Sequence, residues 1–174
     1  MKKLLAVILL SIILVSSCDW FKKNSPSEPE ALSPVPLQIG NKWIYNTDLV
    51  LEIESQYSID NQPAYRMAYY FNTVPDTRIY YYWQWDDPYF KEYDNYFTPI
   101  ASFKFPGELN EITEWGQYRT KLIESNSTVG NFNQCYKYEL DKIATDDVYY
   151  STIKSDIGFV QKSNCGSLTA YILK

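Results

Sequence analysis

Between Leu37 and Lys174 no stretch of twelve residues spaces apolar side chains as a helix would, whereas short alternating runs rich in β-branched and aromatic residues recur to the end. In KWIYNTDLVLEIESQY, residues 42–57, the side chains of Trp43, Tyr45, Leu49, Leu51 and Ile53 fall on one face by period-2 alternation, with mostly polar residues opposite. Comparable runs are AYRMAYYFN, RIYYYWQW, IASFKF, EWGQYRTKLIES, NFNQCYKYELDKIA, VYYSTIKS, GFVQK and SLTAYILK. Turn-forming residues punctuate them, as at Asp60-Asn61-Gln62-Pro63, Pro106-Gly107, Gly130-Asn131 and Asn164-Cys165-Gly166. FPGELNEITEW supports at most a short turn of helix. Short connections predict an antiparallel meander, because parallel pairs need crossovers of a dozen residues or more. The expected fold is all-β, a curved sheet or half-barrel over residues 37–174, about 138 residues and enough for one core.

The N-terminus is of another kind. MKKLLAVILLSIILVSSCDW has two lysines, an apolar run from Leu4 to Val15 broken only by Ser11, two small residues and a cysteine, the layout of a secretory signal peptide. A helix through that run would rise about 18 Å, short of the ~30 Å hydrocarbon core of a bilayer. Val15-Ser16-Ser17-Cys18 resembles the lipobox of bacterial lipoproteins. That resemblance implies removal of residues 1–17, acylation of Cys18 and display on an envelope membrane, with the outer membrane of a Gram-negative cell the expected address. Asp19, directly after the cysteine, resembles the inner-membrane retention signal of enteric bacteria. The mature chain would hold 14 basic and 21 acidic residues, a formal charge of −7, which disfavours nucleic acid and anionic head groups as partners. Attachment then depends on acyl chains, palmitate among them, at ~0.8 kcal/mol per buried methylene. Residues 18–36 carry Pro26, Pro29, Pro34 and Pro36 among Ser, Glu and Lys and read as a disordered, extended tether.

Catalytic chemistry finds little to use. The chain has no histidine, which removes Ser-His-Asp and Cys-His catalysis and the usual zinc sites; no catalytic residue, metal or cofactor is expected. Asp86-Asp87 and Asp146-Asp147 read as solvated turn acids, since neighbours on a strand face opposite sides. Cys135 and Cys165, in a chain bound for an oxidising compartment, are expected to form a disulfide. Of the twenty residues from Arg78 to Phe97 ten are aromatic. In a strand, Tyr81, Trp83 and Trp85 point one way and Tyr80 and Tyr82 the other. The expected role is architectural, with Trp83 and Trp85 buried and Asp86-Asp87-Pro88 ending the strand. A ligand-binding face built from Tyr80, Tyr82, Trp83 and Trp85 is the alternative.

Three segments, PLQIGNKWIYN (36–46), VGNFNQCYKYEL (129–140) and YYSTIKSDIGFVQKSN with the closing LTAYILK, resemble in this order a family of uncharacterised bacterial lipoproteins. Its pattern is an initial Pro-Leu-x-x-Gly-Asn-x-Trp-x-Tyr, a mid-chain Gly-x-Phe-x-x-Cys strand and a final Gly-Phe/Leu-Val strand. The group is similar in architecture to the lipoprotein-localisation carriers of LolA/LolB type, antiparallel half-barrels with a lipid-accepting concave face. The resemblance implies no activity. The expected function is that of a lipid-anchored envelope protein acting as a non-enzymatic structural or interaction module. The alternative is a binder or carrier of a small apolar, lipid or carbohydrate ligand on a concave aromatic face. Partners would be the membrane, through the lipid, and an envelope protein, lipid or glycan.

Overall fold

In the computed structural model residues 33–174 are described, apart from Asp146. The signal peptide, Cys18 and most of the tether therefore lie outside the described residues. From Lys42 onward the chain forms twelve strands: β1 (Lys42–Tyr45), β2 (Leu49–Ile59), β3 (Gln62–Phe71), β4 (Ile79–Asp86), β5 (Tyr89–Tyr93), β6 (Pro99–Lys104), β7 (Ile112–Trp115), β8 (Tyr118–Val129), β9 (Phe132–Lys142), β10 (Val148–Lys154), β11 (Gly158–Lys162) and β12 (Gly166–Ile172). They make one antiparallel sheet in the order β6-β5-β4-β3-β2-β1-β12-β11-β10-β9-β8-β7. The expected all-β meander is thus present, curled into a nearly closed barrel. No helix occurs among the described residues, and the segment before β7 is a loop with a single turn, from Glu111 N–H to Glu108 O at 3.0 Å.

Residues 42–57 are a hairpin, not one strand. Their alternation continues through a tight turn at Asn46–Asp48, where Asp48 has φ 66°, so Trp43 and Tyr45 on β1 share the inner face with Leu51 and Ile53 on β2. The next turn is a two-residue one. Asp60 and Asn61 both have positive φ, 51° and 64°, between the paired Ile59 and Gln62, the backbone that a tight hairpin requires and that Asp and Asn tolerate.

The two halves of the barrel repeat one plan. Strand lengths run 4, 11, 10, 8, 5, 6 over β1–β6 and 4, 12, 11, 7, 5, 7 over β7–β12. Backbone bonds recur at matching places. Gly40 N–H donates to Ile53 O and Asn110 N–H to Leu122 O, both at 2.8 Å; Asn46 N–H donates to Ser167 O at 2.9 Å and Gln117 N–H to Ile100 O at 2.8 Å. The last two bonds mark the two junctions between the halves. At one, β1 and β12 form a ladder from Lys42–Ile172 to Tyr45–Leu168. At the other, β6 and β7 are the sheet's edges, held by the Gln117 bond, by Thr120 Oγ1 donating to Ser102 O (2.5 Å) and by Tyr138 Oη donating to Lys104 O (2.7 Å). Gly116 makes this approach feasible. It has φ +67°, and a Cβ there would lie 2.5 Å from the carbonyl carbon and oxygen of Pro99.

Hairpins alternate between the two ends of the barrel, and the ends differ. One is filled: Trp83 sits 5.3 Å from Phe90 and from Phe159, ring centre to ring centre, and Phe103 lies 5.6 Å from Phe159. Residues 40–45 and 158–160 close this end. The Trp43 indole N–H donates to Ile157 O at 2.6 Å, Tyr45 Oη to Phe159 O at 2.8 Å, and Val35 and the Trp43 ring pack where a side chain on Gly158 (φ +100°) would stand. Buried Asn41 ties both termini, its Nδ2 donating to Pro36 O and its Oδ1 accepting from Lys174 N–H, each at 2.7 Å. Gly40-Asn41-x-Trp43-x-Tyr45 and Gly158-Phe159-Val160 are two sides of one clasp.

Candidate functional site

The opposite end, where the β1–β2, β3–β4, β5–β6, β7–β8, β9–β10 and β11–β12 turns lie, is open. Inside it is a cavity of about 390 Å³, within the size range of small-molecule sites and in the usual place for one in a β-barrel. Its walls come from the top of most strands: Leu49, Tyr69, Tyr81, Ile100, Tyr118, Leu140 and Tyr149, with Gln117, Ser151 and Asn164 among the polar members. Two tyrosine pairs face it from strands half the circumference apart, Tyr69 with Tyr81 (ring centres 4.7 Å) and Tyr118 with Tyr149 (5.9 Å). The hydroxyls of Tyr81, Tyr118 and Tyr149 make no hydrogen bond to the described residues.

An ion pair crosses the floor. Lys162 Nζ on β11 lies 2.5 Å from Glu92 Oε1 on β5, with side-chain exposures of 16% and 6%. The Lys162 ammonium also lies 3.4 Å from Tyr69 Oη and 4.7 Å from the centre of the Phe159 ring. Burial pulls the lysine pKa down, but the Glu92 carboxylate more than offsets it, so the ammonium titrates above its usual range. Burial holds the phenols of Tyr69 and Tyr118 neutral to higher pH than usual, and likewise the Cys165 thiol at the cavity wall. The site thus offers a self-neutralised charge pair, aromatic faces and unpaired hydroxyls and amides.

Alternation alone conceals this pair. Counting from inward Phe159 by twos selects Gln161 and places Lys162 outside. A bulge in the β10–β11 register, where Ile153 opposes Phe159 but Thr152 opposes Gln161, turns Lys162 inward. Glu92 left a fainter sign, a carboxylate two residues from buried Phe90 on the same strand face.

No known protein family, curated protein or solved structure matches this chain.

The residues singled out in the sequence are dispersed. Trp83 is core, 1% exposed, and Trp85 is half-buried against the same core. Tyr80 and Tyr82 are on the outward face of the sheet, Tyr80 half-buried beneath the Arg66 guanidinium (4.7 Å) and Tyr82 buried between Tyr57 (5.3 Å) and Phe97 (4.4 Å). Of the aromatic residues between Arg78 and Phe97 it is Tyr81 that reaches the cavity. The expected disulfide is corrected: Cys135 and Cys165 are free and buried. Cys165 lines the cavity with Leu140, whereas Cys135 lies five positions down β9 from Leu140, about 17 Å at ~3.3 Å per residue, beyond the reach of a disulfide. Asp86 pairs with Lys91 across the Asp87-Pro88 turn, and Asp147 accepts from Thr145 Oγ1 at 2.8 Å. Asp146 lies outside the described residues, and among those described no three potential ligands cluster as a metal site.

Proposed function

We propose that this chain is a lipid-anchored envelope protein, acylated at Cys18, whose barrel is a non-enzymatic binding module that takes a small ligand into its open mouth. The observation that carries it is the contrast between the ends. One end is packed with aromatic rings and clasped by residues 40–45 and 158–160, while the other keeps a cavity lined by tyrosines around a neutralised ion pair. Val35, near the start of the described residues, is buried at the clasped end, away from the mouth.

Native mass spectrometry of the chain purified from bacterial membranes tests both parts. The expected protein mass is that of residues 18–174 plus acyl groups, with a co-purified small molecule that is lost in Ser151→Phe, a substitution that fills the cavity. An unmodified Cys18 would remove the anchor, and an adduct that survives in folded Ser151→Phe would remove the cavity.

A second reading, a docking module for an envelope protein, is favoured by the loops around the mouth. They expose Val74, Ile79, Tyr96, Phe97, Ile143 and Val148, with Tyr96 80% exposed. Ile39, Leu109, Ile112 and Ile172 are as exposed at the clasped end, so what distinguishes the mouth's set is that it surrounds the cavity. Replacing Val74, Tyr96 and Ile143 with serine would abolish partner capture under this reading and leave ligand binding intact.

A further inference from the structure

We infer that the mouth cavity takes a neutral, polyhydroxylated ring, the chemistry of a saccharide. This rests on the cavity being the binding site proposed above and specifies what it selects. Charge argues first. Lys162 is engaged by Glu92 at 2.5 Å, so an anionic ligand would have to break that pair, and Asp94, also on the wall, repels it. A cation fares no better. It would sit beside Lys162, and Asp94 already accepts through Oδ1 from the Tyr96 and Thr98 N–H groups, both at 2.8 Å.

Polarity argues next. A fatty chain would cover the Tyr81, Tyr118 and Tyr149 hydroxyls and the Gln117 and Asn164 amides without giving them partners, and buried polar groups left unpaired are costly. A polyol supplies donors and acceptors for all of them. Aromatic faces complete the match, because the tyrosine pairs stand on opposite walls where the C–H surfaces of a ring can lie against them. Size agrees as well, since a cavity of about 390 Å³ is within the range of small-molecule sites.

The test is calorimetric titration of the full chain in an amine-oxide detergent, which carries no sugar. The probes are glucose, N-acetylglucosamine, maltose and cellobiose, with palmitate, phosphate and choline beside them. At least one neutral saccharide is expected to bind. Tyr118→Phe/Tyr149→Phe keeps both rings and removes both hydroxyls, and should weaken that binding about tenfold per hydrogen bond lost, with an unchanged melting temperature. Ser151→Phe should abolish it.

Palmitate, phosphate or choline binding that Ser151→Phe removes, with no saccharide bound, overturns the ligand class while the cavity remains the site. Saccharide binding that persists in a folded Ser151→Phe variant overturns both. If Ser151→Phe fails to fold, the double tyrosine variant decides, and unchanged saccharide affinity in it overturns the inference. Binding by none of the probes overturns it too.

Discussion

Lys162 and Glu92 come from corresponding strands of the two halves, β11 and β5, and neutralise each other inside the barrel. Removing one partner leaves a buried charge uncompensated, whereas replacing both with apolar groups relieves both desolvation penalties. Lys162→Met should therefore cost about 3–5 kcal/mol in urea unfolding, and Lys162→Met/Glu92→Leu should recover most of it. A double variant no more stable than the single would show that the pair is not coupled. The aromatic stretch separates by face in the same way. Trp83→Ala removes a ring packed among Trp43, Phe90 and Phe159 and should cost about 3–5 kcal/mol. Tyr80→Ala, on the outer face under Arg66, should cost about 1 kcal/mol or less. Equal melting temperatures for the two variants would contradict these placements. The inward and outward assignment of these residues was legible in the sequence because a strand's side chains alternate. The inward turn of Lys162 was not, because one bulge inverts the count.

Between elements, the two junctions that close the barrel differ in strength. β1 and β12 share a ladder, whereas β6 and β7 meet through Gln117, Thr120 and Tyr138 with Gly116 pressed on Pro99. Fewer backbone bonds mean easier local opening. Amide hydrogens of β6 and β7 are expected to exchange faster than those of β1 and β12. Gly116→Ala, which forces a Cβ into the Pro99 carbonyl at a positive φ, should widen that gap while leaving β1–β12 exchange unchanged. Uniform exchange across both junctions would count against the asymmetry. Ile100 and Gln117 belong to this junction and also line the cavity, so the weaker junction is part of the site's wall. β6 and β7 are consecutive, joined only by residues 105–111, so short connections alone would pair them in a ladder. Instead they are the sheet's two edges, and the full ladder forms between β1 and β12, the strands farthest apart in the chain.

For the whole molecule, the buried tyrosines set a limit on alkaline stability. Burial raises the pKa of Tyr45, Tyr69 and Tyr138, and that of Tyr93 to about 12. Phenols in the unfolded chain ionise near ~10, so below that pH both states are neutral and stability is unaffected. Between about 10 and 12 the unfolded chain releases protons that the fold retains, and stability falls; the raised ammonium pKa of Lys162 acts in the same direction. Urea midpoints should be flat near neutral pH, where no histidine titrates, and drop steeply above pH ~10 together with a late rise in phenolate absorbance. A midpoint unchanged to pH ~12 would refute the buried hydroxyls. By itself the sequence determined that this chain is all-β with antiparallel hairpins, and which of Trp43, Tyr45, Leu51, Ile53, Trp83 and Trp85 turn inward. Period-2 alternation and turn residues are local properties, carried by each segment alone. Tertiary structure decided the repeat of two six-strand halves, the clasp between Trp43 and Ile157, the separation of Cys135 from Cys165 and the cavity around Lys162 and Glu92. Each of these depends on register between strands far apart in the chain, and register is set by bulges and by closure of the whole sheet.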